Sequence, residues 1–370
     1  MIHIVTNTIN ERVAKICFAL KLKNVKYVCL FQNFKKGQYF KDLNLNFVNC
    51  TNSNDIICYL NKNNVKFIHL YSFAFDQLCF DIINNTKLKI IYEPKDVFKK
   101  VMNLNIDENI VNGQEYLLKS VNGLIFRDFQ SHLCANLNDF NLNKNRLYFP
   151  DFCWPEQAGI KRKIHLSNKK ENEIKLVFSG NFYIEKHSPK LAAAGIYHIL
   201  KEMVHQGFNV NLFPFIHNNL EHTEWFSDYK NLELENENFK IHNALEPINL
   251  INKYQDFDYG CHLYQGEHFG NLPQRYEHED FGQYGISSRI FDYISAGIPI
   301  INSSDFKYIN RLLYHCKNNV SISKNELFKL KNILSNIEYP KLRLRSLKSY
   351  YKLKIDRHIN KLLKFYALYE

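Results

Sequence analysis

The 370-residue chain contains no window of about 18 uninterrupted apolar residues, so no transmembrane helix is expected. The longest candidate, Val65 to Ile83, is interrupted by Lys66, His69, Asp76, Gln77 and Asp81. The start, Met1-Ile2-His3-Ile4-Val5, reads directly as a strand. With neither a basic leader nor a cleavage site there, secretion is not expected. The nine cysteines are scattered and none forms a C-x-x-C pair. That excludes a zinc ribbon and a disulfide framework, and points to reduced thiols in a cytoplasm. Glycine is scarce while Asn, Lys and Ile are abundant, which reads as compositional bias rather than function.

What the chain does have is charge. Its 48 Lys and Arg outnumber 37 Asp and Glu, for a net charge of +11. The excess is uneven: +7 over residues 1–150, −4 over 151–323 and +8 over 324–370. A uniform basic coat for nucleic acid is therefore not expected, and no nucleic-acid recognition motif is present. The length and the 45% hydrophobic share allow two ordinary domains with real cores.

The first half alternates apolar runs (Ile2–Val5, Lys26–Phe31, Phe67–Leu70, Lys89–Tyr92, Gly123–Phe126, Arg146–Phe149) with helix-like stretches (Glu11–Leu20, Ser53–Asn61, Phe75–Asn84, Gln130–Leu137). Strands separated by helices predict a parallel, doubly wound sheet. The charged stretch Ile160–Glu173 reads as a linker. The pattern restarts at strand Ile174–Ser179 and runs through helix Lys190–Gln206, strands Asn209–Pro214 and Phe239–His242, and helix Ile248–Tyr254. Strand Tyr259–Leu263, helix Ser288–Ser295, strand Ile298–Ile301 and helix Phe306–Leu313 complete it. Two α/β units facing a cleft would take ligands at the carboxyl ends of their strands. The tail spaces Leu347, Tyr351, Ile355, Ile359, Leu362 and Tyr366 as one apolar stripe, predicting a single long basic helix. The boundaries expected are 1–155, a linker at 156–173, a second domain at 174–340, and the tail helix at 341–370.

The most informative stretch is Tyr284 to Asp305. Ser287 is placed to cap a helix that carries Ser288 and Arg289 in its first turn and that ends at Gly297. Free amides, two hydroxyls and a guanidinium suit a pyrophosphate. Asp292, one turn on, suits a ribose diol. By themselves these residues fit an ordinary capped helix equally well.

The run Phe291-Asp292-Tyr293-Ile294-Ser295-Ala296-Gly297-Ile298-Pro299-Ile300-Ile301 resembles the donor-domain signature of GT-B glycosyltransferases, especially glycosyltransferase family 4. By this resemblance Asp292 stands where the family has its ribose-binding Glu. A second family Glu, eight residues earlier, is replaced by Tyr284. The opening of the donor domain is also similar: Val177-Phe178-Ser179-Gly180, then Glu185-Lys186, with Asn181 where the family has Arg. A glycine allows close backbone approach and a lysine neutralises phosphate. The loop after Lys240-Ile241-His242 implies base contacts at Ala244 and Leu245. In the first half, His69 and Asp96 match family positions, whereas Lys66 and Lys95 depart from them.

The fold implied is α/β, with two Rossmann-like doubly wound parallel-sheet domains. The activity implied is transfer of a sugar, UDP-linked for preference, to a hydroxyl of a cell-surface glycan or lipid-linked acceptor. Lys186 and Arg289 would stabilise the leaving diphosphate, so neither metal nor cofactor is expected. Asp96 or Glu93 would be the base if the anomeric centre inverts. The His262–Gln283 segment reads as a long loop over the sugar, with His69 and His262 assigned to acceptor or sugar. Alternatives are a GT-B nucleotide-sugar epimerase and a non-catalytic basic interaction protein. If the tail helix crosses back to the first domain, the two basic ends join. An anionic membrane face would then be a partner and the location peripheral.

Overall fold

The computed structural model describes residues 1–32, 38–72, 77–95, 97, 108–137, 141–162, 174–180, 196–214, 227–263 and 285–370. Packing divides them into two compact units. One is Met1–Ala158 with Leu353–Glu370, and the other is Gly159–Lys352.

The first unit runs β1 (Ile2–Thr6), α1 (Glu11–Leu22), β2 (Tyr27–Phe31), β3 (Phe47–Asn49), α2 (Ser53–Lys62), β4 (Phe67–Ser72), α3 (Gln77–Asn85), β5 (Lys89–Pro94), α4 (Glu108–Ser120), β6 (Gly123–Phe126), α5 (Gln130–Leu137) and β7 (Arg146–Tyr148). Its seven parallel strands lie in the order β3-β2-β1-β4-β5-β6-β7. Every residue of β1, β2 and β4 is buried, which is why these strands are legible as continuous apolar runs. Helices α1 and α2 start where asparagine side chains replace backbone acceptors. Asn10 accepts the Val13 N–H at 3.0 Å, and Asn52 accepts the Asp55 N–H at 3.0 Å.

The second unit runs β8 (Lys175–Gly180), α6 (Tyr197–His205), β9 (Asn209–Pro214), α7 (Ser227–Glu235), β10 (Phe239–Ile241), α8 (Pro247–Tyr254), β11 (Tyr259–His262), α9 (Ser288–Ala296), β12 (Ile300–Ser303), α10 (Lys307–Cys316) and β13 (Asn319–Ile322). After two short helices comes α11 (Tyr339–Leu353). Its parallel sheet has the order β10-β9-β8-β11-β12-β13. One face is a continuous apolar core in which Leu176, Phe178, Val210 and Leu212 meet Ile199, Leu200 and Met203 of α6. Successive connections run outward from β8 to β10, then return to the other side of β8 at β11. The crevice at the carboxyl ends of β8 and β11 is thus a topological switch point.

The tail departs from the expected single helix. It breaks at Lys354, whose backbone is extended (φ −62°, ψ 133°), before α12 (Ile355–Tyr366). The cause is a partner far away in sequence. The Cys153 N–H donates to the Leu353 carbonyl at 2.9 Å, and the Ile355 N–H donates to the Cys153 carbonyl at 3.1 Å. A helical residue could not offer those bonds. α12 packs on α1, and Tyr366 Oη lies 2.7 Å from His69 Nδ1.

The charge distribution follows the same division. Of the twelve basic residues after 323, Lys354, Arg357, Lys361 and Lys364 belong to the first unit and the other eight to the second. One of those eight, Arg343, is only 1% exposed. All nine cysteines are free thiols and seven are buried. No helix among the described residues is long and apolar enough to cross a membrane.

Candidate functional site

The carboxyl end of β8 is Gly180, with φ +125°, a conformation that L side chains rarely adopt. The space a side chain would need there is filled by Arg289. A Cβ built on Gly180 would fall 2.7 Å from Arg289 Cζ and closer still to one guanidinium nitrogen. Strand end and helix start are therefore in direct contact. Ser287, Ser288 and Arg289 are all half-buried at the start of α9. Ser287 is the N-cap residue by backbone geometry (φ −102°, ψ 127°), but its hydroxyl makes no capping bond. The expected hydroxyl cap is thus absent among the described residues. The orphan amides at a helix start favour an anion.

Beneath this seat lies a buried hydroxyl cluster. Tyr254 of α8 donates to Ser179 Oγ at 2.6 Å, and Ser179 Oγ lies 3.4 Å from Tyr293 Oη of α9. Tyr293 also donates to the carbonyls of Val177 (3.3 Å) and Cys261 (3.2 Å). Its ring occupies the place a side chain on Gly260 would take, so that glycine lets the ring lie against β11. Burial pushes both phenols up, keeping them neutral donors. Sequence reading missed this cluster. No local signal could have found it, because Tyr254 and Tyr293 lie 75 and 114 residues beyond Ser179.

The other residues assigned from sequence fall as follows. Asp292 is 7% exposed, one turn beyond Arg289. His262 ends β11, is buried, and is driven well below the ordinary imidazole range by burial and then by Arg289. It is therefore neutral at pH 7. Ala244 and Leu245 are exposed after β10. Lys186, Asn181, Tyr284, Asp96 and residues 264–283 lie outside the described residues.

Glu93 and His69 take a different part. Glu93 is fully buried in an ion pair with Arg12 Nε, and its other oxygen is 3.0 Å from His69 Nε2. Burial pushes the Glu93 carboxyl up, but Arg12 and His69 outweigh it and leave it below its usual range. Arg12 further donates to Asp151 (3.0 Å) and to the carbonyls of Phe149 (2.6 Å) and Pro150 (3.0 Å). This geometry makes Glu93 and His69 members of a buried network that ties α1, β4, β5 and α12 together. A carboxylate with no exposure and a lowered pKa is poorly suited to take a proton from an acceptor.

No family's sequence model and no curated protein matches the chain. Solved structures do. The Anabaena protein HepE in complex with UDP-glucose matches with a TM-score of 0.64 at 12% identity, over 98% of this chain and 99% of that one. A glycosyltransferase from Rickettsia africae matches at 0.58 and 12%, over 97% and 99%. The UDP-GlcNAc 2-epimerase from Methanocaldococcus jannaschii matches at 0.51 and 10%, over 91% and 93%.

The chain has the GT-B fold. Each unit of the GT-B chain is a Rossmann-like parallel sheet flanked by helices. In the second GT-B unit the switch-point crevice presents a guanidinium at the start of a helix. Gly180→Ala is expected to destabilise the protein by about 1–3 kcal/mol, through the disfavoured backbone and the displaced Arg289. Urea unfolding measures that loss, and an unchanged midpoint would contradict the packing described.

Proposed function

We propose that the protein is a glycosyltransferase, related to glycosyltransferase family 4, that moves a sugar from a UDP-sugar to an acceptor hydroxyl. The observation that carries this reading is the contact of Arg289 with Gly180 at the start of α9, in the crevice between β8 and β11. Charge builds on the leaving diphosphate as the glycosidic bond breaks. A preorganised guanidinium, the α9 amides and the ammonium of Lys186 are assigned to stabilise it without a metal. Asp292 is assigned to the ribose diol, and the backbone at Ala244 and Leu245 to the base. Asp96 is assigned as the base of an inverting reaction, because Glu93 is committed to Arg12. UDP is preferred because HepE was solved with UDP-glucose and lies at the highest TM-score quoted above. The acceptor proposed is a glycan or lipid-linked hydroxyl on the cytoplasmic side of a membrane.

The test is a thermal-shift panel of UDP, GDP, CDP and ADP with their sugars. UDP and UDP-sugars are expected to raise the melting temperature, by the equivalent of about 2.7 kcal/mol at a hundredfold excess over Kd. Absence of any shift would overturn the reading. Likeness to the M. jannaschii epimerase favours a second reading, 2-epimerisation of the donor. That reaction needs no acceptor, so a new sugar isomer formed from UDP-sugar alone distinguishes it.

A further inference from the structure

The second sheet has one face unlike the other. Leu176, Phe178, Val210 and Leu212 point into the apolar core. Of the alternate residues, Lys175, Asn209, Asn211 and Lys240 are polar, and Val177 is the apolar member of the Asn211 row. Lys175 of β8 pairs with Asn209 of β9, and Asn211 of β9 pairs with Lys240 of β10. Parallel sheets are normally apolar on both faces because helices cover both. Further along, this face is covered. Ser179, in register with Phe213, is bonded by Tyr254, and Phe213 lies edge-on to Phe257 at 5.8 Å.

Over the polar rows the sheet instead borders a cavity of about 560 Å³, within the range of small-molecule sites. Its deep wall is polar and preorganised. Asn211 is 5% exposed, with its amide nitrogen on Asn209 Oδ1 and its oxygen 2.8 Å from His242 Nε2. His242 is stacked flat on Phe213, with centroids 4.3 Å apart and planes 3° apart. Burial and the neighbouring Lys240 and Lys253 lower its pKa, so it meets a ligand as a neutral imidazole. Arg343 closes the wall from α11.

The charges decide the class of ligand. Two of the three cavity carboxylates are engaged: Asp256 with Lys253 at 3.0 Å, and Asp258 with the Lys175 backbone N–H at 2.8 Å. Glu237 remains, at the exposed rim. Against it, the Lys175 and Lys240 ammonium groups take no ion-pair partner among the described residues. Two free ammonium groups flanking fixed amide and imidazole groups suit a phosphate carried on a hydroxyl-rich body. The geometry points to a second small-molecule site here, for a sugar phosphate. Its Lys175–Asn209 end lies at the amino ends of β8 and β9, roughly 16 Å along β8 from Gly180, while His242 follows the carboxyl end of β10. The two lysines are thus separate from the diphosphate seat at Gly180, and the proposal does not depend on the function proposed above.

The test is calorimetric titration of the full-length protein with glucose 1-phosphate and with inorganic phosphate. Both lysines are exposed, so Lys175→Glu and Lys240→Glu are expected to fold. Glucose 1-phosphate should bind the wild type and Arg289→Ala alike. Each lysine variant should lose on the order of tenfold in affinity, as expected for one charge-assisted contact. Three results would overturn the proposal: no binding by the wild type, binding unaffected by both lysine variants, or binding abolished by Arg289→Ala. Inorganic phosphate binding as tightly as the sugar phosphate would also contradict it, because the amide wall would then recognise nothing.

Discussion

Arg289→Ala is expected to abolish the rise in melting temperature produced by UDP, while the ligand-free protein melts within about 1–2 °C of the wild type. The guanidinium is half-buried at a helix start, so the fold depends on it little. The seat depends on it heavily. It is the fixed cation against Gly180, and in a partly desolvated crevice such a group is worth far more to a diphosphate than in water. Loss of one preorganised donor to developing charge lowers turnover on the order of 10²–10³-fold. Arg289→Lys should recover part of the binding, because it keeps the charge and loses the planar fork. Uridine, which has no phosphate, should bind both variants as it binds the wild type. Undiminished UDP binding by Arg289→Ala would remove the seat from the account.

The second large effect is on stability. Arg12→Ala is expected to destabilise the protein by about 3–5 kcal/mol, because it leaves Glu93 and Asp151 as buried carboxylates without their common cation. The pH dependence identifies the mechanism. In the wild type both carboxyls lie below their usual range: burial raises them, but Arg12 together with His69 at Glu93, and with Arg127 and Lys15 at Asp151, outweighs it. A carboxyl depressed in the folded state contributes stability above its unfolded pKa, near 4, and loses it as pH falls through the folded value. In Arg12→Ala burial acts with less opposition and the folded carboxyls rise. Its penalty is then largest at neutral pH and shrinks as they protonate. Urea unfolding at pH 7 and pH 4.5 should therefore show the gap between variant and wild type narrowing toward acid. A constant gap would mean that Arg12 acts through packing alone.

These two arginines also mark what the sequence could and could not disclose. Arg289 was legible because it and its distant partner Gly180 each sit in a motif readable by itself: a glycine closing an apolar strand, and a helix start followed by Gly297 and Pro299. The strands were legible for the same reason, since β1, β2 and β4 are buried along their whole length. Arg12 was not. Its partners Glu93 and Asp151 are 81 and 139 residues away, and no period connects them. The available signal was a charged pair, Arg12 and Lys15, inside a helix whose neighbours Val13, Ala14, Ile16 and Cys17 are all apolar and buried. That anomaly would also have redirected Glu93 from base to network. The break at Lys354 was hidden because an apolar stripe continues through it. The extended backbone there answers to Cys153, which periodicity cannot see. The short edge strand β3 (Phe47–Asn49), with no fully buried residue, carries no apolar run to read. The polar face of the second sheet was half visible. Asn209 and Asn211 alternate with apolar residues, but only the register places Lys175 and Lys240 beside them.

On the function proposed above, a nucleoside diphosphate lies in the β8/β11 crevice against Gly180 and the start of α9. Hydrogen–deuterium exchange of the full chain, with and without saturating UDP, tests it most directly. Slowed exchange is expected at the end of β8 and at Ser287–Ile290, lost in Arg289→Ala. Protection confined to other segments, or no protection while UDP is bound, would contradict it.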